Sequence, residues 1–316
     1  MVSLDDIRAA GEAIDGRVHR TPLLSSQALG QRAGCSLYLK AESLQKTGSF
    51  KVRGVFNTLR GLGEPQRRAG LIAVSAGNHA QALAYAAGRE GLKSTIVMPA
   101  NASRAKAEAT RGYGAHVILH GTVFDAFTRM EELRREFDYT LVHPYDDEAM
   151  IAGHGTIGLE ILEDLPDVDV IVVPVGGGGL LSGVAAAVKQ ARPGVRVYGV
   201  EPVGAAALSE GRRAGKPVRL EKVDTIADGL AAPATGRHVL EHVNAFVDDV
   251  VLVTDDEIRD ALRAILERCK IVIEPAGAAA TAAVLADRIP AIRGARVVAI
   301  ASGGNIDPAR LAALLS

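Results

Sequence analysis

Short apolar runs alternate with longer stretches of mixed character along most of the chain. The runs are rich in valine, isoleucine and leucine, and Val168–Val173 is almost wholly apolar. Strands of a parallel sheet show this pattern because helices cover both faces of the sheet. The eight runs that we interpret as strands are Leu37–Lys40, Leu71–Val74, Thr95–Met98, His116–Leu119, Val168–Val173, Val195–Val200, Val250–Val253 and Arg296–Ile300.

The segments between these runs carry apolar residues at helical spacing and predict helices. They include Phe50–Leu62, His79–Arg89, Ser103–Arg111, Val123–Phe137, Leu180–Gln190 and Asp255–Cys269. One unit of alternating strands and helices spans residues 47–140, and another begins near Asp147. We therefore predict an α/β protein with two domains, each containing a parallel-rich sheet flanked by helices. Residues 47–140 form the small domain, and residues 1–46 plus 141–316 form the large one.

The composition is that of a globular protein and narrows the classes of function. The 316 residues are 48% hydrophobic, and the formal net charge is −1. A nucleic-acid-binding surface requires a basic face, so we expect no nucleic-acid partner. Cys35 and Cys269 match no metal-binding or redox spacing.

No segment predicts a membrane span or a secretion signal. The apolar stretch Ile171–Val188 contains Pro174 and five glycines, which favours a strand, a loop and a helix. The N-terminal residues are charged and lack the apolar core of a signal peptide. We therefore expect no membrane partner and a cytoplasmic location.

Ligands of open α/β sheets bind beyond the carboxyl ends of the strands, so the loops that follow strands matter most. After Val173 the chain contains the four glycines Gly176–Gly179, and a predicted helix begins near Leu180. Glycines let backbone amides approach an anion, and the helix N-terminus adds free N–H donors. The pattern predicts a phosphate site, with a tight strand-to-helix turn as the alternative. It matches neither the dinucleotide fingerprint nor a Walker loop.

A lysine stands at an unusual place in the segment Thr47–Gly54. Ser49 is a candidate N-cap, which places Lys51 in the first helical turn, where the helix dipole disfavours a cation. A lysine with a lowered pKa is what imine formation with a carbonyl group requires. A solvated surface lysine is the alternative interpretation.

Two further loops combine small and polar residues. Ser75–His79 follows a predicted strand and enters a helix, and its amides and hydroxyl suit a carboxylate. Within it, Asn78 can both donate and accept a hydrogen bond. An ordinary helix cap with a solvent-facing His79 is the alternative. Ser302 stands in a second loop beside two glycines, which a plain turn would also explain.

Together these segments resemble the fold-type II family of pyridoxal-phosphate enzymes, which share a fold similar to the tryptophan synthase β-subunit. The similarity is greatest to the threonine dehydratase and serine racemase group, and within it to short threonine dehydratases that lack a regulatory domain. It extends from Thr21–Leu24 to Ser302–Asn305 and includes Ile151–Thr156 and Thr225–Gly229.

The resemblance implies pyridoxal 5′-phosphate as the cofactor and assigns roles to residues of these loops. Lys51 would bind the cofactor covalently and later act as the base at the substrate Cα, with Phe50 beside the cofactor ring. Further cofactor contacts would come from Asn78, Gly176, Gly177, Gly178, Gly179, Leu180, Gly229 and Ser302. The substrate carboxylate would bind the loop of Ser75, Ala76, Gly77, Asn78 and His79.

Departures from the family pattern refine the implied activity. Racemases of the group resemble Ser-Ser-Gly-Asn-His, and here Ala76 replaces the second serine, which serves in them as a base. Tyr145 resembles the residue that threonine dehydratases have at this position more than the residue of racemases. His154 stands where members of the family usually have glutamine. The implied reaction is elimination of water from L-threonine and L-serine, giving a 2-oxo acid and ammonia.

Other functions stay open at this point. Within the family, the alternatives are a serine racemase and a dehydratase of another β-hydroxy amino acid, such as 3-hydroxyaspartate or an aryl-serine. A nicotinamide-dependent dehydrogenase would use Gly176–Gly179 and Glu201, but the glycine spacing disfavours it. A non-catalytic amino-acid or phosphate sensor would not need Lys51. Besides a small amino-acid substrate, we expect further copies of the chain as partners, in a homodimer or homotetramer.

A cation site, monovalent or divalent, is the last feature that the resemblance implies. Glu201 and the carbonyl oxygen of Ala205 are the expected ligands. Ala207 replaces the aspartate of those family members that bind a divalent cation, so we predict a weak or altered site. Pairing of Glu201 with a nearby arginine is the alternative.

Overall fold

The computed structural model describes all 316 residues, and it contains two parallel-rich sheets flanked by helices. This is the α/β class that the alternating pattern predicts. None of the helices combines the length and the apolar character that a membrane span requires. The helices are Leu4–Ile14 (α1), Gln27–Ala33 (α2), Lys51–Arg60 (α3), Glu64–Ala69 (α4), Asn78–Arg89 (α5), Arg104–Gly112 (α6), Val123–Phe137 (α7), Glu148–Asp164 (α8), Gly179–Ala191 (α9), Ala207–Ala214 (α10), Arg237–Phe246 (α11), Asp255–Cys269 (α12), Pro275–Leu285 (α13) and Pro308–Leu315 (α14).

Every run that we interpreted as a strand overlaps an observed one, and no bound differs by more than about two residues. Two strands were not predicted, β1 and β6, because runs of two or three residues are too short to show a period. The strands are Leu23–Ser25 (β1), Ser36–Lys40 (β2), Leu71–Val74 (β3), Ser94–Met98 (β4), His116–Leu119 (β5), Thr140–Leu141 (β6), Val170–Pro174 (β7), Arg196–Pro202 (β8), Asp249–Val253 (β9) and Arg296–Ile300 (β10).

The larger sheet has six strands in the order β1-β2-β10-β7-β8-β9. All neighbours are parallel except β1, which pairs antiparallel with β2 at one edge. Alternate residues of β7 point to opposite faces. Val170 and Val172 pack with α12 and α13, whereas Ile171 and Val173 pack with α8 and α9. Helices therefore cover both faces, which explains why β7 is almost entirely apolar.

The smaller sheet has four parallel strands in the order β5-β4-β3-β6. Leu71 and Ala73 of β3 pack with α5 on one face, and Ile72 and Val74 pack with α7 on the other. Strand β6 spans residues 140 and 141, and so lies across the boundary that we expect between the domains. The division into residues 47–140 and the remainder stays a prediction.

A buried network of charges anchors α3, the helix that begins at Lys51. The Arg53 guanidinium is fully buried and donates to both carboxylate oxygens of Glu42, at 2.8 and 2.9 Å. It also donates to Glu160 of α8 at 2.6 Å, and Lys40 at the end of β2 pairs with the same carboxylate. Buried charges are tolerated when each has a partner in good geometry. The network therefore joins the first turn of α3 to the larger sheet.

The predicted N-cap of α3 is wrong. The cap position is occupied by Phe50, and no side chain caps the helix. Ser49 is extended and forms a bridge with Gly303, while the Phe50 amide donates to the Ser302 carbonyl oxygen at 3.1 Å. Ser49 and Phe50 therefore pair with the loop after β10 instead of capping the helix. As a result, Lys51 lies directly beside the Ser302 loop.

Candidate active site

A cavity of about 380 Å³ lies between the two sheets, where the carboxyl ends of their strands face each other. The start of α3 and the loops after β3, β7 and β10 line it. The structure brings into this one cavity all the residues that we assigned to the cofactor or the substrate. Their individual roles stay predictions. Glu201 and Ala205 do not line the cavity.

Lys51 is the first residue of α3, and it lines the cavity. Its Nζ donates to the carbonyl oxygen of Pro144 at 2.6 Å and lies 5.0 Å from the centre of the Phe50 ring. Burial lowers the pKa of the Lys51 amine to about 8. A solvated surface lysine is therefore excluded, and the neutral amine is accessible near neutral pH.

The four glycines after β7 lie against neighbours that leave no room for side chains. A Cβ at Gly177 would overlap the Tyr145 ring, and one at Gly178 would overlap Val239. Gly178 also has a φ of 94°, which favours glycine. The amides of Gly176, Gly177 and Gly178 donate to no atom of the chain, and α9 begins at the next residue. Unpaired amides at a helix N-terminus suit an anion, and the phosphate site stays a prediction.

The polar side chains of Asn78, Glu274 and Ser302, which come from distant parts of the chain, line the cavity. Asn78 at the start of α5 donates from Nδ2 to Glu274 and accepts at Oδ1 from Asn305 at 2.8 Å. Ser302 is buried, and its hydroxyl makes no hydrogen bond within the chain. Asn78 and Ser302 therefore present polar groups to the same cavity, as the sequence predicts.

Glu274 is a cavity residue that sequence analysis missed. Its carboxyl group is buried, one oxygen has no hydrogen-bond partner, and burial raises its pKa to about 7. A Cβ at Gly303 would overlap the carboxyl group, so the glycine permits its approach. The sequence does contain a feature that points to Glu274: it is a single acid between the apolar run Ile271–Ile273 and an alanine-rich helix. An acid in such apolar surroundings indicates a buried carboxyl group.

The Ser75–His79 loop follows β3 and leads into α5. The Ser75 hydroxyl accepts hydrogen bonds from the amides of Gly77 and Ala80, which shapes the loop. His79 is buried, not solvent-facing, and its Nε2 lies 3.0 Å from the Val142 carbonyl oxygen. Burial lowers the pKa of His79 to about 3, so this ring is neutral. No charged side chain of the loop therefore competes for a bound carboxylate.

His154, which stands where glutamine is usual in the family, packs behind Phe50. The two ring centres are 4.7 Å apart with an interplanar angle of 70°. His154 is fully buried, both of its ring nitrogens lack a partner, and burial holds its pKa well below the usual value. It is therefore a neutral ring that supports Phe50.

Glu201 is neither paired with an arginine nor surrounded by other metal-binding side chains. Its carboxylate accepts hydrogen bonds from the Leu208 amide at 2.7 Å and from the amide and hydroxyl of Ser209. Burial raises the pKa of Glu201 despite these hydrogen bonds. No cluster of three histidine, cysteine or acidic side chains suits a metal ion anywhere in the chain. The weak cation site stays a prediction.

The groups around the cavity fit a phosphorylated aldehyde with a polar ring. Unpaired amides at Gly176–Gly178 suit the phosphate, and the Lys51 amine suits the aldehyde. The free hydroxyl of Ser302 suits a ring nitrogen. The fit rests on the donors that this chain presents, independently of any similarity to other proteins.

The chain belongs to the family of pyridoxal-phosphate dependent enzymes, which matches residues 14–303. It is 46% identical over 308 residues to the L-threonine ammonia-lyase of Thermotoga maritima, covering 97% of the chain and 76% of that protein. It is 41% identical to the catabolic L-threonine dehydratase TdcB of Escherichia coli K12, covering 98% and 95%. Maize serine racemase superposes with a TM-score of 0.94 at 38% identity, covering 99% and 96%.

These similarities confirm the family, the fold and the pyridoxal-phosphate cofactor that the motifs predict. A nicotinamide-dependent dehydrogenase is thereby set aside, as the glycine spacing already indicated.

Proposed function

We propose that this chain is a pyridoxal-phosphate dependent ammonia-lyase that eliminates water from L-threonine and L-serine. The observation on which this rests is one cavity that contains a lysine with a lowered pKa, an anion cradle and a second amide-rich loop. The identities of 46% and 41% to an L-threonine ammonia-lyase and an L-threonine dehydratase support the same assignment.

The cofactor is held, in this proposal, by residues of the four loops. Lys51 binds it covalently, the amides of Gly176–Leu180 bind its phosphate, and Ser302 and Asn78 contact polar atoms of the ring. Gly229 forms part of the cavity wall, and a Cβ at this position would overlap Ala276. When bound, pyridoxal phosphate supplies the electron sink that makes a Cα proton removable.

The chain's own residues then orient the substrate and move its protons. The Ser75–His79 loop binds the substrate carboxylate through amides and the Ser75 hydroxyl, because the loop contains no negative charge. The Lys51 amine accepts the proton from the substrate Cα, for which a pKa of about 8 is well suited near neutral pH. The neutral hydroxyl of Ser302 would leave the ring nitrogen unprotonated, and the resulting weaker electron sink would favour loss of the substrate hydroxyl group, as water, closely coupled to removal of the Cα proton.

Racemisation is the second candidate function, because maize serine racemase superposes with a TM-score of 0.94. Inversion at Cα requires a second acid or base on the opposite face of the substrate. Ala76 occupies the position from which racemases supply it, and Ala76 lines the cavity without a proton to exchange. We therefore favour elimination.

The assignment is tested by incubating the purified protein with L-threonine and following 2-oxobutanoate and ammonia. A lysine-bound cofactor would absorb visible light, and that absorbance should be lost together with activity in Lys51→Ala. A panel that includes 3-hydroxyaspartate and an aryl-serine tests the alternative substrates. If one of these is turned over with a higher kcat/KM than L-threonine, the proposed substrate is wrong.

Assembly and location are proposed on the resemblance alone. We propose a homodimer or homotetramer in the cytoplasm, and native mass spectrometry of the purified protein tests the first of these.

A further inference from the structure

The segment Val142–Asp147, which leads from β6 to α8, contacts the candidate active site through Pro144 and Tyr145. The Pro144 carbonyl oxygen accepts from Lys51 Nζ at 2.6 Å. The Tyr145 ring packs against Gly177, the Tyr145 backbone lies against Gly179, and the Tyr145 hydroxyl donates to the Ala234 carbonyl oxygen at 3.0 Å. Both the lysine and the glycine loop therefore depend on the conformation of this one segment.

A side chain of the segment itself fixes that conformation. His143 Nδ1 accepts two hydrogen bonds, from the Tyr145 amide at 3.3 Å and from the Asp146 amide at 2.8 Å. The ring also packs edge-on against Tyr145, with centres 4.7 Å apart. The turn is thus held by a side-chain acceptor, as in turns built around an asparagine or aspartate.

An imidazole nitrogen that accepts hydrogen bonds carries no proton. Nδ1 therefore keeps its lone pair, and the neutral ring has its hydrogen on Nε2. Protonation would place a hydrogen on Nδ1, opposite two N–H donors, and both hydrogen bonds would be lost. The turn is consequently compatible with only one charge state of His143.

The groups that face His143 have opposing effects on the pKa of its imidazole. Burial lowers the pKa of His143, and Lys51 of α3 lowers it further. Asp146 and Asp147, from the same segment, raise it. His79 of α5 is a neutral neighbour whose own pKa is lowered in part by His143. His143 is only half-buried, so protons from solvent can reach it.

We propose that His143 is a positioning residue whose neutral imidazole holds the turn that sets Pro144 against Lys51 and Tyr145 against the glycine loop. His143 does not line the cavity, whereas Pro144 and Tyr145 do, so it acts through them. The consequence for turnover rests on the proposed function, because Lys51 is the base in that reaction. Protonating His143 displaces the turn and lowers kcat.

Two substitutions distinguish the role of Nδ1 as a hydrogen-bond acceptor from the role of the charge on the His143 ring. In His143→Asn, the amide oxygen takes the position of Nδ1 and can accept the same two hydrogen bonds, but it does not titrate. In His143→Gln, the amide lies one bond further out, at the position of Nε2, and cannot accept them. His116→Asn is the matched control, because His116 is exposed on β5 and lies outside the cavity.

The expected results concern kcat more than KM, because the substrate carboxylate binds a different loop. At pH 8, His143→Gln should lower kcat by about 10- to 100-fold through misplacement of Lys51, with KM within about threefold. His143→Asn should keep kcat within about threefold of the unchanged protein. As pH falls through the pKa of His143, which burial holds below its usual value of 6.5, the unchanged protein and His116→Asn should lose activity more steeply than His143→Asn, whose turn does not titrate.

Hydrogen exchange of the cofactor-loaded protein gives a readout that does not depend on turnover. The Tyr145 and Asp146 amides should be protected at pH 8 in the unchanged protein and in His143→Asn, and exposed in His143→Gln. As pH falls below the pKa of His143, which burial holds under its usual value of 6.5, this protection should fade in the unchanged protein, after correction for intrinsic exchange rates, and persist in His143→Asn.

Two results would overturn the proposal. One is an equal effect of the asparagine and glutamine substitutions on kcat at pH 8. The other is a loss of activity at acidic pH that is as steep in His143→Asn as in the unchanged protein. If L-threonine is not turned over at all, the proposed function fails, but the exchange experiment still decides the role of His143.

Discussion

Lys51 Nζ donates a hydrogen bond to the carbonyl oxygen of Pro144, which lies 93 residues away in the chain, at 2.6 Å. The bond joins the first turn of α3 to the segment between β6 and α8. A carbonyl oxygen accepts from the amine without adding a negative charge that would raise its pKa. Lys51 is therefore fixed in position while its pKa stays lowered, which is what a lysine acting as nucleophile and base requires.

The first prediction is that Lys51 is the residue that binds pyridoxal phosphate. Borohydride reduction of the loaded protein, followed by peptide mapping, should label Lys51. Its removal in Lys51→Ala should lower kcat/KM for L-threonine by about 10²- to 10⁴-fold, the usual contribution of a positioned proton-transfer group.

Lys40 and Lys46 are the informative comparisons, because both precede Lys51 by few residues. Lys40 is fully buried and paired with Glu160, whereas Lys46 donates to the Gly16 carbonyl oxygen. Label on either residue would show that the assignment of Lys51 is wrong. Lys46→Ala should leave the absorbance of the bound cofactor unchanged, since Lys46 does not line the cavity.

The second prediction is that elimination exceeds racemisation. With L-serine as substrate, pyruvate should form at least about 100-fold faster than D-serine, because Ala76 offers no second proton-transfer group. Chiral chromatography of the amino acid and an assay of pyruvate in the same reaction measure the ratio. Ala76→Ser should raise the share of D-serine modestly. Comparable rates for the unchanged protein would mean that another residue supplies the proton.

The motifs that lie close together in the sequence could be predicted, and contacts between distant segments could not. The run Gly176–Gly179 predicts an anion site, because four successive glycines let backbone amides approach an anion without interference from side chains. Glu274 was missed because its role depends on Asn78, 196 residues earlier, which places it in the cavity. The N-cap at Ser49 was wrong for the same reason, since Gly303 pairs with its backbone. Local patterns cannot show such pairings.

The third prediction concerns the buried carboxyl group of Glu274. Its pKa rises from 4.5 in the unfolded chain to about 7 in the folded protein, so the folded state binds the proton more tightly. This contribution to the free energy of unfolding is fully present below pH 4.5 and is lost as pH rises through 7. Its full size is on the order of 3 kcal/mol. Glu274→Gln should remove this dependence.

Urea unfolding at several pH values between 4.5 and 8 measures the effect. Glu267→Gln is the matched control, because Glu267 is an exposed residue of α12. The free energy of unfolding of the control should follow that of the unchanged protein. If the difference between Glu274→Gln and the unchanged protein does not vary with pH, the Glu274 carboxyl group does not titrate as its burial indicates.

The fourth prediction is that divalent cations are dispensable. Ala207 provides no carboxylate, and the Glu201 oxygens already accept hydrogen bonds from Leu208 and Ser209. Magnesium and calcium depend on anionic oxygen ligands, so a site with one carboxylate should bind them weakly. Activity should persist after exhaustive chelation when sodium or potassium is supplied. Loss of turnover that magnesium alone restores would show that the site is intact.

The last prediction is that the buried network around Arg53 stabilises the protein and the position of Lys51. Arg53→Met leaves the Glu42 carboxylate without its partner in the interior. Removing one member of a buried ion pair costs about 3–5 kcal/mol, because the remaining charge stays desolvated. The free energy of unfolding, measured with urea, should fall by that amount. The double substitution Arg53→Met with Glu42→Gln should recover part of the loss.

Arg104 provides the matched control, because its pair with Glu108 lies on the surface of α6. Exposed ion pairs contribute little to stability, so Arg104→Met should leave the free energy of unfolding nearly unchanged. Equal effects of the two methionine substitutions would contradict a special role for Arg53. A stabilised Arg53→Met protein would contradict it as well. In the expected case, Lys51 loses the anchor two residues beyond it, and kcat should fall together with stability.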